Sequence, residues 1–339
     1  MRYSVRIGND ITCTRNYFMK HRLLVVSLLT VVLGGTAFGQ QDKVLTHWLY
    51  DKMSINPGET GITEGICATS IYRNQWDKVN GAPNSALFNV EANMSRFFPG
   101  GVGISFAYDA IGFSRQTNLL LNYSYPLEIS GVGTLGIGLG VGIQNFSQAP
   151  LWVPPTTLND NTLPTGFSDT QLDANFGLYL RGDQGYYVGF SSTHVPASTF
   201  ESEDATPITY ESARHYYLMG GYKHPQLIGP GQLEGNLLLQ TDMVKMSADI
   251  GVRYHWQNMA YGGISYRTNE SVGIMLGAQP LKIMNNDTSP LDNFVVGYAY
   301  DISMNKLSSI SRGSHEILLK YCYYLPPVPI QKTKHPRWL

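Results

Sequence analysis

The chain has 339 residues, a formal net charge of −1 and only 14% charged residues, against about 25% in ordinary soluble domains. Near-neutrality, with no basic run interleaved with aromatics, excludes an electrostatic case for nucleic acid. Tyrosine (22) and glycine (35) are abundant, a bias that suits a chain with one face toward lipid and the other toward water, and equally a large soluble β protein.

The N-terminus reads as an export address. Met19-Lys20-His21-Arg22 is basic, Leu23 to Leu33 is an apolar run broken by Ser27 and Thr30, and Ala37-Phe38-Gly39 offers small residues where signal peptidase reads. Cleavage is expected before Gln40. The polar residues 1–18 sit awkwardly ahead of such a signal and point to Met19 as the start, so 1–39 is assigned as the signal peptide region. The apolar run is too short for the ~20 residues of a membrane-spanning helix. Cys13 leaves with this region. Cys67 and Cys322 fall in the first and last strands proposed below. Two isolated small apolar residues is the favoured reading; a disulfide in an oxidising compartment is the other. No metal-ligand spacing occurs, and no cofactor is called for.

Residues 40–64 are irregular. Trp48-Leu49-Tyr50 and Ile55-Asn56-Pro57-Gly58 there suggest an ordered plug or a leader to the first strand. From Gly65 on, period-two alternation recurs, the signature of β-strands. Ile66, Ala68, Ser70 and Tyr72 alternate with Cys67, Thr69, Ile71 and Arg73, and the pattern returns near 86–93, 102–109 and 119–125. The fifth segment, Leu135 to Ile143, has a glycine at every second position. Four interior glycines would cost a helix about 1 kcal/mol each, so this is a strand with an aliphatic ridge and a bare face that makes space. Further segments follow at 172–181, 186–192, 215–223, 233–240, 246–256, 260–267, 272–278, 294–302 and 316–323. About fourteen strands of roughly nine to eleven residues match the length that crosses a bilayer at a tilt. The apolar faces end in Tyr, Trp or Phe, as in an aromatic girdle.

The predicted fold is therefore all-β: a transmembrane antiparallel β-barrel of about fourteen strands over 65–325, a short N-terminal plug or leader at 40–64, and a Pro-rich periplasmic tail at 326–339. The charges at mid-strand (Asp173, Asp249, Asp301 and Glu316 with Arg73, Arg181, Arg253 and Lys320) fit bridges across a wet interior better than a sandwich core. If the chain starts in the periplasm, connections after odd strands are external, and the two longest, 146–168 and 193–212, obey that rule. Trp152 and Pro154-Pro155 lie in the first of these, where they could contact a partner or pack as a lid. The tail, ending Pro336-Arg337-Trp338-Leu339, has the character of a docking peptide.

No constellation suggests catalysis. His315-Glu316 lacks a second histidine at zincin spacing, Gly138-Leu139-Gly140 opens no helix, and Gly-x-Ser-x-Gly is absent.

Several short motifs, in order and spacing, resemble the PorP/SprF family, outer-membrane barrels of the Bacteroidetes type IX secretion system. They are Ser54-Ile55-Asn56-Pro57, Tyr72-Arg73-Asn74-Gln75-Trp76, Gly81-Ala82-Pro83, Asp109 with Ile111-Gly112, Tyr298-Ala299-Tyr300-Asp301, Gly313-Ser314-His315-Glu316-Ile317 and the Pro336-Arg337-Trp338-Leu339 ending. One departure is Gly58-Glu59-Thr60-Gly61, where the family usually has Ala-Tyr-Ala-Gly. The resemblance implies a multi-pass outer-membrane protein without catalysis. It would support secretion or surface attachment of type IX cargo, including gliding adhesins, and associate with periplasmic ring or peptidoglycan-linked components. A general diffusion pore or small-solute transporter is the competing expectation.

Overall fold

The computed structural model describes residues 42–149, 166–202, 209–225, 229–257, 259–284 and 293–324. Its strands are β1 (Ile66–Asn74), β2 (Asn84–Asn93), β3 (Gly101–Ile111), β4 (Ser114–Ile129), β5 (Gly133–Gln148), β6 (Phe167–Gly182), β7 (Tyr186–Thr193), β8 (Thr199–Glu201), β9 (Thr209–Glu211), β10 (His215–His224), β11 (Gln232–Thr241), β12 (Met246–Trp256), β13 (Ala260–Arg267), β14 (Ser271–Ala278), β15 (Phe294–Ser303) and β16 (Ser314–Tyr323). Fourteen of them close an antiparallel barrel in chain order, with β1 paired to β16. Closure satisfies every strand's ladder and leaves no edge, which is what a sheet in lipid requires.

The predicted alternation holds along the wall. On β5, Ile137, Leu139, Val141 and Ile143 point outward and are exposed, whereas Gly136, Gly138 and Gly140 face inward and are buried. The same outward band carries Ile104, Leu121, Phe190, Ile250, Ile264 and Leu319 on other strands. Apolar surface costs roughly 25 cal/mol per Å² in water, so a continuous girdle of this kind marks a wall made for hydrocarbon.

Three details go beyond the strand pattern. Strands β4, β5 and β6 each run 16 residues, longer than the bilayer needs, because their alternation continues past the apolar stretch into polar residues such as Gln144 and Asn145 that still pair across strands. The 193–212 connection is not structureless: β8 and β9 form a separate two-stranded hairpin, with Phe200 buried against Phe146 and Tyr210. The connection after β14 begins with a helical turn, Pro280–Met284.

The cysteines also correct the favoured reading. Cys67 and Cys322 are opposite each other across the β1–β16 seam and form a disulfide. The alternation that sends Thr69 and Ile71 inward sends Cys67 inward too, and antiparallel closure puts its partner 4.1 Å away, Cα to Cα. The bridge closes a loop of very large sequence separation, so its loss acts mainly through the unfolded chain. We expect Cys67→Ser/Cys322→Ser to lower unfolding stability by about 2–5 kcal/mol while the strand pairing persists. Urea titration in lipid with and without reductant measures this; coincident curves for the two proteins would return the cysteines to the isolated-residue reading.

Candidate functional site

The barrel is not empty. Residues 42–64 run through its lumen as an irregular leader with two 3-10 turns, Trp48–Tyr50 and Pro57–Glu59. The leader's course was not legible from the periplasmic-start rule. Asp42 sits at the end of the barrel that carries the long connections, where its N–H donates to His215 Nε2 (3.2 Å) and Tyr217 Oη donates to its Oδ2 (3.0 Å). Gly61 lies at the opposite, turn-bearing end, where its N–H donates to Glu91 and its carbonyl accepts from Asn93. The chain thus enters at the loop end, descends the lumen and reverses into β1.

Two locks hold it. The upper one is built on charges that strand alternation turns inward. Glu316 of β16 receives the backbone N–H of Thr46 (2.8 Å) and of His47 (2.6 Å), one on each oxygen. This satisfies donors left free ahead of the Trp48–Tyr50 turn, as a capping residue would. The Arg73 guanidinium bridges Glu316 (3.0 Å) and Asp301 (2.6 Å), and Asp301 accepts from the Thr46 hydroxyl. Arg267 donates to the Leu45 carbonyl (3.2 Å) and pairs with Asp249 (3.0 Å). Arg73, Glu316, Asp301 and Arg267 are all at most 2% exposed. Charges so deeply buried are tolerated only when paired and hydrogen-bonded.

The lower lock uses shape. Asn56 donates to the Leu178 carbonyl (3.0 Å), and its side-chain oxygen caps the following turn by accepting from Gly58 N (2.9 Å). Pro57 and Gly58 lie directly on the glycine face of β5 and β6. A Cβ added at Gly138 would come within 2.2 Å of Pro57, and one at Gly136 within 2.0 Å of the Gly58 carbonyl. Ser124 of β4 donates to that same carbonyl (2.9 Å). The bare face of the Leu135–Ile143 stretch is therefore occupied by the chain's own leader.

Between the locks the leader is greasy. Trp48, Leu49 and Ile55 share one buried cluster with Ile71, Leu87, Tyr179, Tyr217, Leu238 and Leu318 of the wall. Tyr50 packs against the Tyr261, Met275 and Ala299 cluster and under the Arg253 guanidinium, 4.8 Å from the ring centre. Lys52 lies 4.1 Å from the centre of the Tyr187 ring.

The sequence-predicted residues separate into groups. Arg73, Glu316, Asn56 and Pro57 meet in the two locks. Trp76, Gly313 and Ser314 join the β1–β2 connection to the start of β16, with Trp76 N donating to Ser314 Oγ (3.2 Å) and Asp77 N to the Gly313 carbonyl (2.8 Å), while Gln75 donates to Glu270 of the β13–β14 turn (3.3 Å). Gly313 (φ 92°) and Trp76 (φ 53°) adopt left-handed backbone there. Tyr72 faces outward, and His315 bonds the outward Tyr298 hydroxyl (2.7 Å), so both belong to the girdle. Of the predicted interior bridges, Arg73 with Asp301 and Glu316 forms. Arg253 pairs instead with Glu234 (3.1 Å), Asp249 with Arg267, and Asp173 with His194 (2.9 Å); Lys320 caps the Tyr50 carbonyl (2.8 Å). Arg181 stands exposed near the turn end and enters no bridge among the described residues, because β6 has left the barrel's filled section by that point. Arg267 and Glu234 were overlooked although both occupy inward positions of their alternation. His194 lies one residue past β7, where no periodicity could announce it. The remaining candidates (Trp152, Pro154, Pro155, Pro336, Arg337, Trp338 and Leu339) and the 1–39 signal region lie outside the described residues.

At the loop end, burial works against the Asp42 carboxylate, but the charges of Lys43 and His194 outweigh it and hold Asp42 well below the usual range.

A closed antiparallel barrel with an apolar outer band, a charged interior and an internal plug is an outer-membrane barrel of the plugged kind. The match to the family of type IX secretion system membrane proteins PorP/SprF covers residues 37–321, and the chain belongs to that family. No curated protein sequence matches it significantly. Among solved structures it is similar to the CymD monoaromatic hydrocarbon channel (TM-score 0.48, 12% identity, 81% of this chain and 93% of that one). It is also similar to the β domain of the Bordetella autotransporter BrkA (0.33, 12%, 76% and 98%) and to a Rh. blastica porin variant (0.30, 7%, 76% and 98%).

Proposed function

We propose that this protein is a non-catalytic, plugged barrel of the type IX system. In this reading it anchors machinery or cargo in the outer membrane rather than passing solutes. The observation that carries the reading is the leader, bonded to wall strands around the whole lumen, from Arg73 on β1 through Ser124 on β4 and Tyr217 on β10 to Glu316 on β16. A diffusion pore needs an unobstructed water path, and a filler hydrogen-bonded to buried, paired charges of the wall argues against one. Family membership supports the secretion setting. Cargo such as a large gliding adhesin would meet the loop end, with Trp152, Pro154 and Pro155 as contact candidates. Periplasmic ring or peptidoglycan-linked components would meet the 326–339 tail, with Pro336, Arg337, Trp338 and Leu339 at its end.

Co-purification from cells with and without Pro326–Leu339 tests the tail: survival of every periplasmic partner after the deletion would end the docking role. Planar-bilayer recording of the intact protein tests the anchor: steady, ion-selective conductance would establish the pore reading instead.

A further inference from the structure

Above the leader, at the loop end, the lumen opens into a cavity of about 400 Å³ lined by β3, β4, β5, the β8–β9 hairpin and the first residues of the leader. That volume lies in the range of small-ligand sites. Its wall is unusual in what it leaves unused. The Gln148 side chain makes no hydrogen bond among the described residues; the Asn118 side chain only accepts one long contact from Gln116 (3.5 Å), which leaves its amide donors unspent. Asp109 has one partner, the Ser85 hydroxyl. Three planar amides and a carboxylate, each with spare donors or acceptors, therefore face one cavity.

The same lining is also aromatic. Phe146 and Tyr210 stack with centroids 4.0 Å apart and planes 1° from parallel, forming a rigid shelf at the cavity wall. The charges lining the space are already engaged: Lys43 lies 3.6 Å from Asp42, His194 pairs with Asp42 and Asp173, His215 accepts from Asp42 N–H, and Arg115 is committed to the Gly112 and Ser114 carbonyls. An ionic ligand would lose its hydration against charges that already answer one another. A hydrocarbon would strand the amides without partners. A neutral polyol fits both constraints, because each hydroxyl donates and accepts and its C–H faces can lie on an aromatic shelf.

We propose that this cavity is a binding site for a neutral saccharide of one or two rings. It is independent of the secretion reading, since it needs neither cargo nor tail.

The test uses the full-length protein in a detergent without a sugar headgroup. Saturation-transfer NMR is run with glucose, galactose, mannose, N-acetylglucosamine and maltose, beside sodium acetate and capped triglycine as ionic and peptide probes. At least one sugar should bind, and Asn118→Leu or Gln116→Leu should weaken it at least tenfold. Ala213→Trp, which fills the cavity from a connection outside the barrel ladder, should abolish the signal while the heat-modifiable gel shift of the folded barrel is retained. Absence of binding by every sugar, binding unaffected by all three variants, or preferential binding of capped triglycine would each overturn the assignment, the last in favour of a peptide site.

Discussion

Arg73→Leu should cost the folded barrel about 3–5 kcal/mol, the range for removing one partner from a buried ion pair. The cost arises less from the lost attraction than from what remains. Asp301 on β15 and Glu316 on β16, each at most 2% exposed, would be left on neighbouring strands without their shared cation. Arg267 reaches Asp301 only at 3.9 Å and is already engaged by Asp249 and Glu270. Leucine also cannot supply the hydrogen bond that Arg73 gives to Thr46 Oγ1 (3.0 Å). Removing the facing carboxylate as well, in Arg73→Leu/Glu316→Leu, should recover part of the loss, because the double change leaves fewer charges stranded. Urea unfolding in lipid vesicles measures both. Additive losses would show that the two residues contribute independently and that the upper lock is not one unit.

The second large effect is expected at Gly138. Tryptophan there has no room: the added Cβ would lie 2.2 Å from Pro57 C and 2.3 Å from Gly58 N, both backbone atoms that no side-chain rotation can clear. Either the leader leaves or the wall bends. The wall is held by a full ladder to β4 and β6, whereas the lower lock rests on a handful of hydrogen bonds, so the leader should yield. Gly138→Trp should then retain barrel assembly, expose residues 50–62 to protease and turn a silent protein into a conducting one in planar bilayers. Gly140→Trp should do less, because its added Cβ first meets the Asn122 side chain at 2.4 Å, which can rotate away. Equal and wild-type-like silence from both variants, with the leader still protected, would show that the glycine face is not what seats Pro57.

Much of this was readable beforehand for a plain reason. Period-two alternation is enforced residue by residue along a wall with lipid outside and polar filling inside, so strand number, facing and order followed from Ile66–Arg73 and its successors. Arg73 and Glu316 were visible as inward charges and as parts of recurring motifs. Their meeting at 3.0 Å follows only from β1 pairing with β16, a contact between chain ends that no local pattern specifies. The leader was harder. Trp48-Leu49-Tyr50 and Asn56-Pro57 marked it as ordered, but an irregular segment carries no periodicity from which its direction could be read. Its entry at the loop end depends on Asp42 finding His215 and Tyr217, residues 173 and 175 positions away. The disulfide was underrated for a similar reason: closure makes the first and last strands neighbours, but only the β1–β16 register sets Cys67 directly opposite Cys322.

That disulfide gives the leader a topological meaning. The bond between Cys67 and Cys322 makes residues 67–322 a covalently closed ring, and the leader from Asp42 onward passes through it. The molecule is a lasso, with its own tail threaded through its loop. A thread in a sealed ring can leave only by sliding back out tail-first. A bulky folded domain attached ahead of Asp42 would therefore act as a stopper, holding the thread in place even when both locks are broken, until a reductant opens the ring.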